Sequence, residues 1–307
     1  MFVSVVMPSY NQARYLPLAI ESVLNQSWQK LELIVMDGGS TDGSKGILNK
    51  YQKKDARLRW WSEPDSGPAN AINKALTKCR GTLVGWLNSD DLYTPKAIER
   101  AVKAMQAHSE WMLCYGWGEH IDDQGRYLQA YPTLPSKEAK PWQVPDKNAF
   151  QYGCFICQPS VFFKAVMPVL IGKLDENLKA AFDYDYWLRA FNAFPGRIGF
   201  IASVQAQSRL HEDCITQKQR RHVALEGMQV LAKNQGYALG HWVLTYQDEQ
   251  IAKGLTHEQI KPDLAKLMNQ IKPYMENNRW QTLLKSLNLP EVVLQRNQQL
   301  QSIAKKT

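Results

Sequence analysis

Short apolar runs alternate with stretches of helical spacing through the first ninety residues. Val3-Ser4-Val5-Val6-Met7 is a β-branched run stopped by Pro8, and Leu33-Ile34-Val35-Met36 is a second, stopped by Asp37-Gly38-Gly39. Residues 58–61 and 83–87 make a third and a fourth. Between them, 16–24 carries apolar residues at helical spacing and 42–54 is a polar, lysine-rich helical stretch. Residues 68–78 read as a helix with Pro68 in its first turn, where a missing N–H costs nothing. Continuous apolar strands are strands buried on both faces. The pattern therefore predicts an α/β domain with a mostly parallel, Rossmann-like sheet flanked by helices.

The pattern changes twice. From about 111 to 200 the chain is richer in aromatics, glycine and proline, with a helix expected over 183–194 and a last strand over 198–204. Beyond about 215 it turns to Gln, Lys and Leu at helical spacing. There Ile260, Leu264, Leu267, Met268 and Ile271 form one apolar face, and Pro262 and Pro273 are expected to end short helices. The reading is a domain over 1–215, in two halves at 1–110 and 111–215, followed by a helical C-terminal appendage over 216–307.

Composition narrows the class. Five cysteines, an odd number, do not make a disulfide framework, and the lone pair Cys154 and Cys157 has no second pair to complete a zinc site; both are read as small core residues. A net charge of +8 suits a basic surface or attraction to a polyanion such as an anionic leaflet, and nothing in the chain resembles a nucleic-acid recognition motif. No secretory leader is visible, and no stretch approaches the ~20 apolar residues that span a bilayer. A cytoplasmic protein is expected, with peripheral contact on the inner face of the cell membrane as an option for the appendage.

Ligands of open α/β sheets bind beyond the carboxyl ends of the strands. Here those ends read Pro8-Ser9-Tyr10-Asn11, Asp37-Gly38-Gly39-Ser40-Thr41-Asp42, Glu63-Pro64-Asp65-Ser66-Gly67 and Asn88-Ser89-Asp90-Asp91. The glycine-rich turn of a dinucleotide fold is missing after the first strand, and so is a P-loop. Asp90 and Asp91 suggest a divalent cation that would neutralise bound phosphates, since hard cations take carboxylate oxygens; a solvated turn or a helix cap explains them equally well.

These stretches, in this order, resemble the family 2 glycosyltransferases of GT-A fold. The resemblance continues through Gln158-Pro159-Ser160-Val161-Phe162-Phe163, Asp183-Tyr184-Asp185-Tyr186-Trp187-Leu188-Arg189 and Arg209-Leu210-His211. It implies that 1–110 binds a nucleotide sugar and 111–215 an acceptor. Asp37 would accept the uracil N3–H, framed by Pro8, Ser9, Tyr10 and Asn11, with Asp65 and Asn70 lining the same pocket. Asp90 and Asp91 would hold the ribose and the metal between them, Mn²⁺ or Mg²⁺, with His211 completing its shell. Asn88 stands where the common signature has a first acid, which removes one charge. Asp183 would be the base that deprotonates the acceptor hydroxyl; Gln158 and Asp185 fall on the acceptor side, although Asp185 also has helical spacing to an ion-pair partner, Arg189. Trp187 is read as core.

The function so implied is inverting, metal-dependent transfer of one hexosyl or N-acetylhexosaminyl group. The donor would be a UDP-sugar and the acceptor a glycan or lipid-linked saccharide of the cell surface. A Gln-x-x-Arg-Trp motif of processive members is absent. Two other readings remain at this point: a non-catalytic nucleotide-sugar-binding protein, which the Asn88 departure would suit, and a sugar-phosphate nucleotidyltransferase, against which Tyr10-Asn11-Gln12 speaks.

Overall fold

A computed structural model describes residues 1–212, 214 and 220–287. Contacts divide it into two units. The first joins Met1–Ala149 to Gly153–Cys214; the second joins Phe150–Tyr152 to the described residues after 214. The expected boundary at 215/216 lies outside the described residues, as does the appendage from 288 onward.

In the first unit the parallel prediction is met by β1 (Val3–Ser9), β2 (Leu31–Asp37), β3 (Leu58–Ser62) and β4 (Leu83–Trp86), which lie in the order β3-β2-β1-β4, all parallel. Every residue of β1, β2 and β4 is buried, which is why these strands are mostly apolar. Helices α1 (Leu16–Leu24), α2 (Ser44–Lys54) and α3 (Pro68–Leu76) connect them. The short β5 (Leu92–Tyr93) and α4 (Ala97–Ala107) follow, and then the sheet turns mixed. β6 (Leu113–Ile121) pairs antiparallel with β7 (Tyr127–Ala130) and β8 (Phe162–Lys164), and parallel with β9 (Ile198–Arg209). Between β8 and β9 lie α5 (Met167–Ile171) and α6 (Phe182–Ala193).

β9 runs five residues beyond the strand expected from apolarity. Its extension, 205–209, is polar, and it persists because its polar groups find partners. The fully buried Gln205 accepts from Arg100 Nε and donates to the Ala97 carbonyl, and Arg209 is anchored as described below.

The second unit contains α7 (Arg220–Gln235), α8 (His241–Ala252), α9 (His257–Ile271) and α10 (Asn277–Ser286). The predicted face of α9 is buried, Ile260, Leu264, Leu267, Met268 and Ile271 among it. Pro262 lies inside α9 instead of ending it. A reciprocal cap between Thr256 and Gln259 fixes the first turn, and the buried face outweighs the one backbone bond that proline forfeits. Gln151 ties Phe150–Tyr152 to this unit, accepting from Leu239 N and donating to the Tyr237 carbonyl.

Candidate active site

Register sets the first part of the site. Ser9, Asp37 and Ser62 are neighbours across β1, β2 and β3, at the last rung of each strand. In-register parallel positions share a face, so the three side chains stand side by side. Asp37 is 1% exposed. Its Oδ2 accepts from Ser62 Oγ at 2.6 Å and from the backbone N–H groups of Ser40 and Gly39 at 3.0 and 3.2 Å. Its Oδ1 is buried without a partner among the described residues, and so is Ser9 Oγ. Two buried polar atoms on paired residues of neighbouring strands are thus left without a bond.

Around them the expected pocket residues divide by task. Pro8 is buried in β1, while the Tyr10 ring is 63% exposed. Asn11, in the left-handed region at φ 51°, is exposed but engaged in the loop itself. It accepts from Thr41 N at 2.9 Å and donates its own N–H to Ser40 Oγ at 2.8 Å, stitching the loop after β1 to the loop after β2. Asp65 accepts from Gly67 N at 2.9 Å, and burial, joined by the charge of Asp37, raises its carboxyl above the ordinary range. A methyl group on Gly38 would meet Asp65 Oδ2 at 2.8 Å and the Tyr10 ring at 3.3 Å, so Gly38 is the small residue that lets both close in. Asn70 donates to Glu176 Oε2 at 2.7 Å, and Asn73 donates to Glu176 Oε1 at 2.7 Å. The carboxylate of Glu176, which the sequence reading missed, thus binds the segment before α6 to α3.

The loop after β4 separates the two adjacent acids. Asp91 is 3% exposed, with Oδ1 accepting from Arg209 N at 2.9 Å and Oδ2 from Asn88 Nδ2 at 3.2 Å. Burial, then the neighbouring Asp90 charge, pushes its carboxyl well above the usual range. Asn88 also donates to Gln158 Oε1 at 3.0 Å and accepts from Trp86 Nε1 at 3.0 Å, while Gln158 Nε2 donates to the Trp86 carbonyl at 2.8 Å. Asn88 and Gln158 therefore brace the loop. Asp90 faces the other way: its Oδ2 lies 3.0 Å from His211 Nε2, with side-chain exposures of 16% and 5%. Residues 121 positions apart meet here.

A carboxylate and an imidazole at that separation fit a divalent ion. Among the described residues no cluster of three or more His, Cys, Asp or Glu side chains could hold one alone. Two protein ligands suit an ion that takes its remaining oxygens from a diphosphate and water.

Asp183 lies in the first turn of α6, whose N-cap is Ala181, so it is not the cap. It accepts from Tyr184 N at 2.7 Å, and burial pushes its carboxyl up to about 6. Cys157 is within electrostatic reach of both Asp91 and Asp183, and Cys154 and Tyr131 of Asp183. Burial first, and these charges after it, raise both thiols, which are free and uncharged at neutral pH. Cys157 fits because Gly118 carries no side chain: a methyl there would lie 2.2 Å from its Sγ. Asp185 accepts from Arg189 Nε at 2.7 Å; Arg189 in turn donates to the carbonyls of Ile171 and Lys173, so this acid pins α5. Trp187 is fully buried, 6.0 Å from the Trp86 ring.

A parallel nucleotide-binding type of half-sheet continued by a mixed one, with this acidic rim, defines an α/β protein of GT-A fold. The chain belongs to the Glycosyl transferase family 2, whose family model matches residues 4–164. An uncharacterized glycosyltransferase of Rickettsia conorii is 30% identical over 226 residues; the match covers 72% of this chain and 36% of the relative, so this chain spans about a third of that protein's length. A 1–349 fragment of TarS from S. aureus, solved in complex with UDP, superposes with a TM-score of 0.65 at 19% identity, covering 92% of this chain and 83% of that fragment. The mannosyltransferase PcManGT from Pyrobaculum calidifontis, solved with GDP-Man and Mn²⁺, gives 0.57 at 17% identity, covering 95% and 85%. Among the described residues no helix is long and apolar enough to cross a membrane.

Proposed function

We propose that the protein is an inverting glycosyltransferase that moves one sugar from a UDP-sugar to a hydroxyl of a glycan or lipid-linked saccharide. The observation that carries this reading is the pair of orphaned polar atoms, Ser9 Oγ and Asp37 Oδ1, on register-paired residues of adjacent strands. Uracil presents an N3–H flanked by carbonyls. Asp37 Oδ1 accepts the N–H and Ser9 Oγ–H donates to a carbonyl beside it. Cytosine, whose N3 is an acceptor, would set a lone pair against the Asp37 carboxylate. TarS, solved with UDP and with UDP-GlcNAc, supports a uridine donor.

Asp90 and His211 are assigned to the metal, Mn²⁺ or Mg²⁺, which when bound stabilises the negative charge of the leaving diphosphate. The Mn²⁺ complex of PcManGT supports this assignment. Asp91, with both oxygens engaged, holds the loop that presents Asp90. Asp183 is assigned as base. It takes the proton of the acceptor hydroxyl as that oxygen attacks the anomeric carbon from the side opposite the diphosphate. A carboxylate poised near 6 is mostly ionised at neutral pH and basic enough to draw off that proton. Residues 1–110 then bind the donor and 111–215 the acceptor; the helical unit is proposed as an appendage docking on a membrane or a partner.

The test is a donor screen with Mn²⁺ present, following release of nucleoside diphosphate. Consumption of a UDP-sugar in preference to CDP- and ADP-sugars supports the reading. Preference for a CDP-sugar, or pyrophosphate released from UTP and a sugar phosphate, would overturn it.

A further inference from the structure

Arg209 closes β9 two residues before His211, within the Arg209-Leu210-His211 stretch of the family resemblance, which implied no role for it. The residue is 2% exposed, yet its guanidinium meets no carboxylate side chain among the described residues. Its bonds go instead to backbone carbonyls: Nε donates to Asp90 O at 2.8 Å, and Nη1 to Asp122 O at 2.9 Å and Asp123 O at 3.3 Å. Its own N–H is the donor to Asp91 Oδ1. One arginine thus grips Asp90 by its main chain and Asp91 by its side chain.

The aromatic neighbour extends the grip to the histidine. The guanidinium lies over the Tyr15 ring at 5.0 Å, and Tyr15 is tilted against the His211 ring at 4.8 Å. Arg14 covers Tyr15 at 5.1 Å and pairs with Asp123 at 2.7 Å, so the turn that receives Nη1 is also held from outside. This side chain meets Asp90, Tyr15 and the 122–123 turn directly, its backbone N–H meets Asp91, and His211 is reached through Tyr15. A lysine carries the same charge but has one nitrogen, and cannot reach three carbonyls in a planar fork. The remaining Nη2 is buried without a partner, a cost that a purely space-filling side chain would avoid.

We infer that Arg209 is a positioning residue for the metal site: it fixes the separation of the Asp90 carboxylate and the His211 imidazole, and so the affinity for the divalent ion. The inference rests on the assignment of Asp90 and His211 to a metal. Arg209 acts through the two assigned ligands and touches neither substrate nor ion.

The experiment titrates Mn²⁺ into the full chain with saturating UDP and reads free Mn²⁺ by electron paramagnetic resonance. Arg209→Lys is expected to weaken Mn²⁺ binding about 10- to 100-fold, the usual size of an effect transmitted through a ligand's support, while UDP binding without metal stays unchanged. In a His211→Ala background the same substitution should cost less than about threefold more, because the pair it positions is already gone. Mn²⁺ affinity equal to that of the unaltered chain, or full additivity in the double variant, overturns the inference. If the unaltered chain with UDP takes up no Mn²⁺, the metal assignment falls and this inference with it. Should Arg209→Lys fail to fold, Arg14→Ala loosens the same turn from its exposed end. A roughly two- to threefold loss of Mn²⁺ affinity then supports the inference, and no change overturns it.

Discussion

Ser62 Oγ donates to Asp37 Oδ2 at 2.6 Å, and with two backbone N–H groups it saturates that oxygen, leaving Oδ1 as the acceptor that has no partner. The hydroxyl therefore orients the carboxylate without competing for the face a base would use. Asp37→Asn places either an N–H donor or a weaker amide carbonyl at that point. A hydrogen bond to a charged group contributes about 1.5–3 kcal/mol, so UDP binding should weaken about 10- to 100-fold by calorimetry. Ser62→Ala should cost only a few-fold, because the backbone donors remain. Equal losses for the two would contradict the division of labour between the oxygens.

The adjacent acids should behave differently. Asp90→Asn removes a proposed ligand, and we expect it to abolish Mn²⁺-dependent transfer while leaving the melting temperature within a degree or two. Asp91→Asn exchanges an acceptor of two buried hydrogen bonds for a group that accepts with one atom only, so it should lower stability by about 1–3 kcal/mol and weaken Mn²⁺ binding less. Denaturant melts and metal titrations on both variants check this. The reverse ranking would move the ligand role to Asp91.

Asp183 links activity to stability. Its carboxyl rises from an ordinary 3.8 to about 6 because burial disfavours the charge. Folded protein thus binds the proton more tightly than unfolded chain. The stability this protonated group contributes is present below about pH 4 and is lost as pH rises through 6. Asp183→Asn should abolish transfer with UDP binding intact. It should also raise stability at pH 8 by up to about 3 kcal/mol, at 1.36 kcal/mol per pH unit, with the gain vanishing near pH 4. Differential scanning calorimetry at the two pH values decides it.

The same group sets the expected pH profile. Transfer requires the ionised base, so kcat/KM should fall about tenfold per unit as pH drops below 6 and level off above it. A rate that is flat between pH 5 and 7 would remove Asp183 from the role.

Gly38→Ala tests the wall of the base pocket. The added methyl would stand 2.8 Å from Asp65 Oδ2 and 3.3 Å from the Tyr10 ring. The Tyr10 ring is exposed and the contacted Oδ2 is the far end of the Asp65 side chain, so the fold should tolerate the change. The price falls on the pocket: an approximately 10-fold weaker UDP affinity is expected, corresponding to about 1.4 kcal/mol. Unchanged affinity would place the base away from Tyr10 and Asp65.

Periodicity and the strand-end residues already contained the parallel half of the sheet, because β1, β2 and β4 are buried on both faces and every residue must be compatible with that burial. Asp37 and Asp90 stood out as polar residues at the ends of apolar strands, whereas Asp183 and His211 were offered only by the family resemblance. What the sequence concealed was direction. Asp90 and Asp91 are chemically identical neighbours, and only the approach of β9, more than a hundred residues later, engages one in the interior and leaves the other against His211. Asn11, Asn70 and Gln158 are polar in the string but brace loops in three dimensions, since their partners Thr41, Glu176 and Asn88 come from register and packing, whereas the Asp185–Arg189 pair was already written in helical spacing. Arg209 shows the limit most plainly: a buried arginine bonded to carbonyls leaves no complementary residue type in the sequence to reveal it. Local pattern chose the elements, and their tertiary meeting chose which oxygen each acid offers.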